Sequence, residues 1–76
     1  MVEFDETLDC KGLSCPMPII KMAKAVKAMG SGKVLKMLGT DPGSKDDIPK
    51  WCTKTGNIFL GMEEEGGVNV FYIKKA

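Results

Sequence analysis

The side chains with the clearest chemical potential are three cysteines, Cys10, Cys15 and Cys52, because the chain has no histidine and all its basic residues are lysines. Without histidine, a Ser-His or Cys-His nucleophile pair and a histidine-ligated metal site are excluded. A thiolate can still act as a nucleophile, hold a sulfur atom or form a disulfide. An odd number of cysteines also argues against a framework of structural disulfides. The sequence therefore indicates the chemistry of free thiols.

Length and charge restrict the class of protein further. A chain of 76 residues with 43% hydrophobic content can bury one modest core, so we expect residues 1–76 to form a single domain. A formal net charge of +1 gives no bulk electrostatic basis for direct nucleic-acid binding. The sequence starts without the features of a signal peptide and has no run of about 20 apolar residues for a membrane helix. These features predict a cytoplasmic protein without a membrane partner.

Cys15 lies at the predicted junction of a strand and a helix. Alternating polar and apolar residues predict a short strand over Glu3–Asp9, and Lys11–Ser14 form the loop that follows. Pro16 and Pro18 favour a helix start, because proline lacks the N–H that the first helical turn leaves unpaired. Cys15 is therefore expected at the N-cap, where unpaired N–H groups and the helix dipole favour the thiolate.

Positive and apolar side chains lie close to this junction in the sequence. Apolar residues at helical spacing over Ile19–Met29 predict an amphipathic helix with lysines on its opposite face. Lys11 in the loop and Lys21 beyond the prolines are expected to add positive charge near the thiol. Lys11, Lys21 and Lys24 are candidate docking contacts for a partner, the alternative for the lysines of the helix being a merely solvated face. Met17 is a candidate exposed apolar contact.

The rest of the chain predicts a second strand, a second helix and a hairpin. We expect the second strand over Lys33–Leu38. The second helix should have Asp47 as its N-cap, Pro49 in its first turn and Gly56 at its end. The hairpin should consist of strands over Asn57–Met62 and Val68–Ile73 joined at Glu65–Gly67. The order βαβαββ predicts an α+β fold. We expect a two-layer sandwich in which a four-stranded mixed sheet carries both helices on one face and leaves the other face open.

The two remaining cysteines have different expected roles. Cys52 follows Trp51 on the packed side of the second helix and is expected in the core. For Cys10 two roles stay open at this point: a strand-end residue without chemistry, or a resolving thiol for Cys15. Three cysteines without histidine match no common zinc spacing, so neither a metal nor a cofactor is predicted.

Two segments resemble the TusA/SirA sulfur-carrier family. Leu8–Pro18 contains a Gly-Leu-x-Cys-Pro-x-Pro stretch leading from the first strand to the first helix. Thr40–Cys52 contains an Asp-Pro turn followed by Asp-Ile-Pro-x-aromatic-Cys. Together with the hairpin, the resemblance covers essentially the whole chain. It implies a sandwich like the C-terminal domain of translation initiation factor 3, and the chain departs from some members in having Cys10 and in having Met17 between the prolines.

The resemblance also implies a function, in which Cys15 carries a persulfide and Pro16 and Pro18 support the helix start. It adds a third open role for Cys10, a second site for sulfur. The expected donor is a cysteine desulfurase or a rhodanese-type protein, and the expected acceptor is DsrE-like or TusD-like. Such relays serve tRNA thiolation, molybdenum-enzyme maturation or dissimilatory sulfur metabolism, with the chain as a carrier rather than a self-sufficient enzyme. Two alternatives stay open: a thiol redox protein that uses a Cys10–Cys15 disulfide, and a regulatory or interaction module that binds a partner or RNA through the open sheet face.

Overall fold

Six elements form the fold in a computed structural model that describes residues 3–76, so that residues 1 and 2 of the predicted domain lie outside the described part. They are β1 (Glu6–Cys10), α1 (Met17–Ala28), β2 (Val34–Gly39), α2 (Ser44–Thr55), β3 (Ile58–Glu65) and β4 (Val68–Lys74). The strands form one sheet in the order β1-β2-β4-β3, with β1 parallel to β2 and the other pairs antiparallel. The predicted α+β class and βαβαββ order are confirmed. No helix within the described range is long and apolar enough to cross a membrane.

The core lies between the two helices and one face of the sheet. Because successive side chains of a strand point to opposite faces, alternate residues of β2 and β4 face the helices. The buried cluster consists of Cys10, Met22, Val26, Met29, Leu35, Met37, Ile48, Cys52, Phe71 and Ile73. Burial of apolar surface, worth about 25 cal/mol per Å², is the main force that holds the helices in place.

The opposite face of the sheet carries both exposed and buried side chains. The ring of Phe4 lies beside Lys36, with 4.9 Å between the ring centroid and Nζ. Phe4 precedes β1, and it does not share a face with Leu8, which packs against the core. The predicted strand over Glu3–Asp9 therefore begins later than expected, at Glu6, and the alternation that would place Phe4 and Leu8 on one side does not extend to Phe4. Val70 and Tyr72 alternate with core residues along β4 and are nevertheless buried, so this face is less open than the sequence predicts.

The start of α2 differs from the prediction. The helix begins at Ser44, three residues before the expected N-cap Asp47, and Gly43 occupies the N-cap. The backbone N–H of Ser44 donates to the carbonyl of Asp41 at 3.1 Å, so the turn after β2 continues directly into the helix. Pro49 consequently lies inside the helix, where its ring nitrogen cannot donate a backbone hydrogen bond.

Glycines end α2 and close the hairpin, as the sequence predicts. Gly56 has a φ of 78° at the C-cap of α2, a left-handed conformation that side-chain-bearing residues rarely adopt. Gly66 and Gly67 have φ values of 55° and 82°, as in the two-residue turns that suit the twist of a hairpin. The prediction fails in length, because β3 continues past Met62 to Glu65.

The parallel pair β1 and β2 brings two loops to the same end of the sheet. Cys10, the last residue of β1, pairs with Gly39, the last residue of β2. Parallel strands that end together release their following segments at the same edge. The backbone N–H of Gly12 donates to Oγ1 of Thr40 at 3.0 Å, which joins the two loops. The beginnings of α1 and α2 therefore lie side by side.

Candidate functional site

Cys15 lies in the loop immediately before α1. The helix begins at Met17 and its N-cap is Pro16, so the prediction that Cys15 is the N-cap is wrong by one residue. The backbone N–H of Met17 donates to the carbonyl of Ser14 at 3.0 Å and closes a turn that contains Cys15 and Pro16. This N–H is one of the donors that the sequence places in the first turn to favour the thiolate. It is already paired within the turn.

Exposure separates Cys15 from the other two cysteines. All three are free thiols; Cys15 is exposed, whereas Cys10 and Cys52 retain 0% and 1% of their accessible surface. Cys10 ends β1 and Cys52 lies on α2, and both belong to the buried core. Cys15 is therefore the one cysteine of the chain that another molecule can reach without opening the fold.

Two aspartates from other parts of the chain flank Cys15. Oδ2 of Asp41, in the loop after β2, accepts a hydrogen bond from the backbone N–H of Cys15 at 3.2 Å. Oδ2 of Asp47, on α2, accepts a hydrogen bond from the thiol, with 3.8 Å between Sγ and the oxygen. The same two oxygens lie 3.4 Å and 3.7 Å from the point where a β-carbon on Gly43 would be, so the carboxylates converge beside this glycine. Among residues 3–76, no cluster of three or more Cys, Asp or Glu side chains is arranged to hold a metal ion.

The carboxylates alter the charge environment that the sequence predicts for the thiol. The pKa of Cys15 is raised above 9.0 by desolvation, by the charges of Asp47 and Asp41, and by the hydrogen bond to Asp47. A thiol at a helix N-terminus would have a lowered pKa. The direction is opposite because desolvation is the largest influence on Cys15, and because the charges that act on it are negative.

The candidate lysines interact with groups other than the Cys15 thiol. Lys11 lies beside Asp9, with 3.9 Å between Nζ and the carboxylate, and both side chains are largely exposed. The charge of Lys21 acts on Cys10, where it partly offsets the rise in pKa that burial causes. Lys21 and Lys24 are exposed on α1 and remain available to a partner. The prediction that Lys11 and Lys21 provide positive charge at Cys15 has no support in this geometry.

Two exposed apolar side chains lie in the first turn of α1, which follows Cys15 in the chain. Met17 is 45% exposed and Ile20, nearly one turn later, is 43% exposed. Pro16 is the exposed N-cap of α1, whereas Pro18 is buried within its first turn. The sequence reasoning did not select Ile20, because it lies off the apolar stripe of α1 that faces the core.

Asp41 and Asp47 are the site residues that the sequence reasoning missed. It treated Asp41 as part of a turn and Asp47 as a helix cap, without relating either to Cys15. The fold topology could have identified them. When two neighbouring parallel strands end at paired residues, the segments that follow them meet at one edge of the sheet. Applied to β1 and β2, this rule places the loop containing Cys15 next to the segment Asp41–Asp47.

Known proteins with the same sequence pattern and fold provide an independent comparison. The family described as "Sulfurtransferase TusA" matches residues 6–75. A protein of Aquifex aeolicus is 47% identical over 75 residues, which are 99% of this chain and 38% of that relative. The sulfur carrier protein TusA of Allochromatium vinosum is 46% identical over 76 residues, covering 100% of both chains. The crystal structure of the SirA-like protein from Desulfitobacterium hafniense matches with a TM-score of 0.77 and 29% identity, over 92% of this chain and 96% of the other.

Proposed function

Because the chain belongs to the sulfurtransferase TusA family of sulfur carriers, we propose that it holds sulfur as a persulfide on Cys15 and passes it to an acceptor protein. The observation that carries this proposal is that Cys15 is exposed while Cys10 and Cys52 are buried. A carrier thiol must be reached in turn by the donor and by the acceptor. Burial denies that approach to the other two thiols.

Loading of Cys15 transfers one sulfur atom without net oxidation. The thiolate of Cys15 attacks the terminal sulfur of a donor persulfide, R–S–SH, so that a sulfur–sulfur bond forms at Cys15 and the sulfur–sulfur bond of the donor breaks. Cys15–SH and R–S–SH give Cys15–S–SH and R–SH, and the proton from Cys15 is balanced by the proton that the departing donor thiolate takes up. Delivery repeats the exchange with an acceptor thiolate as the attacking group. This chain supplies the thiol and its position, and its partners supply the acids and bases.

The proposed partners are those that the resemblance to the sulfur-carrier family implies. We expect a cysteine desulfurase or a rhodanese-type protein as donor and a DsrE-like or TusD-like protein as acceptor, within the cytoplasm. The sulfur would serve tRNA thiolation, molybdenum-enzyme maturation or dissimilatory sulfur metabolism. Met17 and Ile20 support docking beside the thiol because they expose apolar surface there. Lys21 and Lys24 add exposed positive charge on the same helix, which suits an acidic patch on a partner.

A redox function based on a Cys10–Cys15 disulfide is a weaker proposal. Cys10 has 0% of its surface exposed and packs within the core, so a redox partner cannot reach its thiol directly. A disulfide also needs the two Cα atoms within about 7 Å and suitably directed side chains. An interaction module on the opposite sheet face is also a weaker proposal, because Val70 and Tyr72 are buried there, although Ile58 on the same face is 47% exposed.

The carrier proposal is tested by intact-mass measurement after incubation with a cysteine desulfurase and cysteine. We expect the parent protein to gain the mass of sulfur and Cys15→Ser to gain none. Cys15→Ser should still unfold cooperatively, because the side chain is exposed and changes at such positions usually alter stability by less than about 0.5 kcal/mol. The matched control is Cys10→Ala, which should load with the same stoichiometry as the parent.

Two results would contradict this proposal. Sulfur bound to a folded Cys15→Ser protein would show that another residue is the carrier. Loss of loading in Cys10→Ala, together with a Cys10–Cys15 disulfide in the parent, would favour the redox function instead.

A further inference from the structure

Asp41 and Asp47, which we call the acidic pair, place negative charge next to the exposed thiol of Cys15. We propose that the acidic pair holds Cys15 in the thiol form in the free protein and that a lysine or arginine of the partner neutralises the pair when sulfur is exchanged. This inference rests on the proposed function of Cys15 and specifies what a partner must bring to the site. The pair would thus act as positioning residues that make thiol reactivity depend on binding.

The geometry of the acidic pair favours the thiol over the thiolate. Asp47 accepts the S–H of Cys15 at 3.8 Å, a contact that loses its proton when the thiolate forms. Asp41 is held against the same residue by the backbone N–H of Cys15 at 3.2 Å. Deprotonation of Cys15 would therefore place a third negative charge next to two carboxylates, and like charges in close proximity disfavour the ionised form.

The lysines nearest to the site in the sequence lie beside other carboxylates. Nζ of Lys11 is 3.9 Å from Asp9, and Nζ of Lys45, on the first turn of α2, is 3.7 Å from Glu64 on β3. Lys21 of α1 acts on Cys10. The charges that raise the pKa of the Cys15 thiol belong to the acidic pair alone among residues 3–76. No lysine among residues 3–76 is among the charges that shift the pKa of Cys15, so we assign the compensating positive charge to the partner.

A cationic side chain of the partner would remove the unfavourable effect of the acidic pair on the Cys15 thiolate. Placed between the partner's sulfur and the acidic pair, it would offset both carboxylates and allow the thiolate to form next to the donor persulfide. In the free protein the thiol form reacts slowly with oxidants and disulfides, because the thiolate is the nucleophile. The acidic pair therefore protects the empty carrier and selects partners by charge.

The test uses two small disulfides of opposite charge, cystamine and dithiodiglycolate, and needs no protein partner. In each reaction the Cys15 thiolate attacks one sulfur, a mixed disulfide forms, and the other half leaves as a thiolate. At low salt the parent should react faster with cystamine. The rate ratio of cystamine to dithiodiglycolate should fall roughly two- to fivefold in Asp47→Asn and in Asp41→Asn, the range expected for a solvent-screened charge. About 1 M salt should reduce the ratio in the parent as well.

Asp46→Asn is the matched control. It also removes a carboxylate from the first turn of α2, whereas the thiol hydrogen bond goes to Asp47. Its rate ratio should equal that of the parent, and Asp47→Glu should retain most of the preference. The pH at which alkylation of Cys15 reaches half its maximal rate should also fall in Asp47→Asn.

The inference is overturned if the rate ratio is the same in the parent and both acidic-pair variants, or if Asp46→Asn lowers it as much as Asp47→Asn. If Asp47→Asn fails to fold, the inference is tested by the rate ratio of Asp41→Asn and by the salt dependence of the rate ratio in the parent. Failure of the proposed function gives a different result. A Cys15 that prefers cystamine but never holds sulfur from a desulfurase would refute the carrier and leave the charge control intact.

Discussion

Cys15 and Cys52 have the same side chain, and desolvation raises the pKa of both, but only at Cys15 do neighbouring carboxylates add to the rise. Burial raises the pKa of Cys52 to about 11, and its side chain has 1% of its surface exposed. The pKa of Cys15 is raised by desolvation and then by the carboxylates of Asp47 and Asp41, although the residue is exposed. Burial is relieved only by opening the fold, whereas a carboxylate can be neutralised by a bound cation. The comparison indicates why one thiol can be regulated by a partner and the other serves packing.

The largest expected effect that follows from this comparison is a loss of stability at high pH through Cys52. The folded pKa of about 11 lies above the ordinary value of 9.0, so above about pH 9 the folded state keeps a proton that the unfolded chain loses. The stabilisation from Cys52 is complete below about pH 9 and is lost as the pH rises through about 11. Two pKa units at about 1.4 kcal/mol each make the full loss about 2–3 kcal/mol.

This loss is measured by urea unfolding at about pH 8 and about pH 11, for the parent and for Cys52→Ser, which cannot titrate there. Cys10 and Tyr72 also have raised pKa values, but they contribute to both proteins and cancel in the difference. We expect the stability advantage that the parent has near neutral pH to disappear or reverse by about pH 11, because the loss through Cys52 is the larger quantity. An advantage that stays constant across this range would show that burial does not hold the proton on Cys52.

A smaller effect is expected near neutral pH, where Cys52→Ser should lower the free energy of unfolding by about 1–2 kcal/mol. The serine hydroxyl loses its hydrogen bonds to water when it replaces a buried thiol, and burying a polar group without a partner is costly. Cys15→Ser is the matched control and should change stability by less than about 0.5 kcal/mol, because the side chain is exposed. Equal losses in the two variants would remove the distinction between a packed and an accessible thiol.

Local sequence patterns were sufficient to predict the order of the elements. The glycines at 56, 66 and 67 act through their own backbone angles, and the prolines after Cys15 act within one helical turn. The same patterns misplaced the start of α2, because the preference of Asp47 for an N-cap competes with a turn that already makes helical hydrogen bonds at Ser44. Cys15 was placed one residue too far into α1 for a similar reason, since the Met17–Ser14 bond closes the turn before the helix.

The composition of the site required tertiary information. The two aspartates that contact Cys15 are 26 and 32 positions away in the sequence, beyond the range of any local pattern. Their approach depends on the parallel pairing of β1 with β2 in a register that ends both strands together. That register also decides the environment of Cys10, because it places the residue on the helix-facing side of the sheet, where it is fully buried. The sequence left its role open because it does not specify the register.

The smallest expected effect concerns Lys21 and Lys24 of α1. The experiment tests whether these lysines contribute to partner docking or are ordinary solvated surface residues. Lys21→Glu combined with Lys24→Glu should slow sulfur transfer from the donor by roughly two- to fivefold, because charge complementarity mainly affects the rate of encounter. The slowing should be greater at low salt, since exposed charges are screened over about 10 Å at 0.1 M ionic strength. The final amount of persulfide on Cys15 should be unchanged.

Lys50→Glu combined with Lys54→Glu is the matched control for this experiment. It reverses two exposed lysines on the other helix and changes the net charge by the same amount. Slowing in the α1 variant alone would show that the lysines of α1 form a docking surface for the partner. The partner would then need an acidic patch facing these lysines and a cation facing the acidic pair. These two requirements together would fix its orientation. Equal slowing in both variants would reflect net charge. Unchanged rates at low salt would show that the lysine face of α1 is only a solvated surface and that recognition rests on the acidic pair and the apolar side chains of Met17 and Ile20.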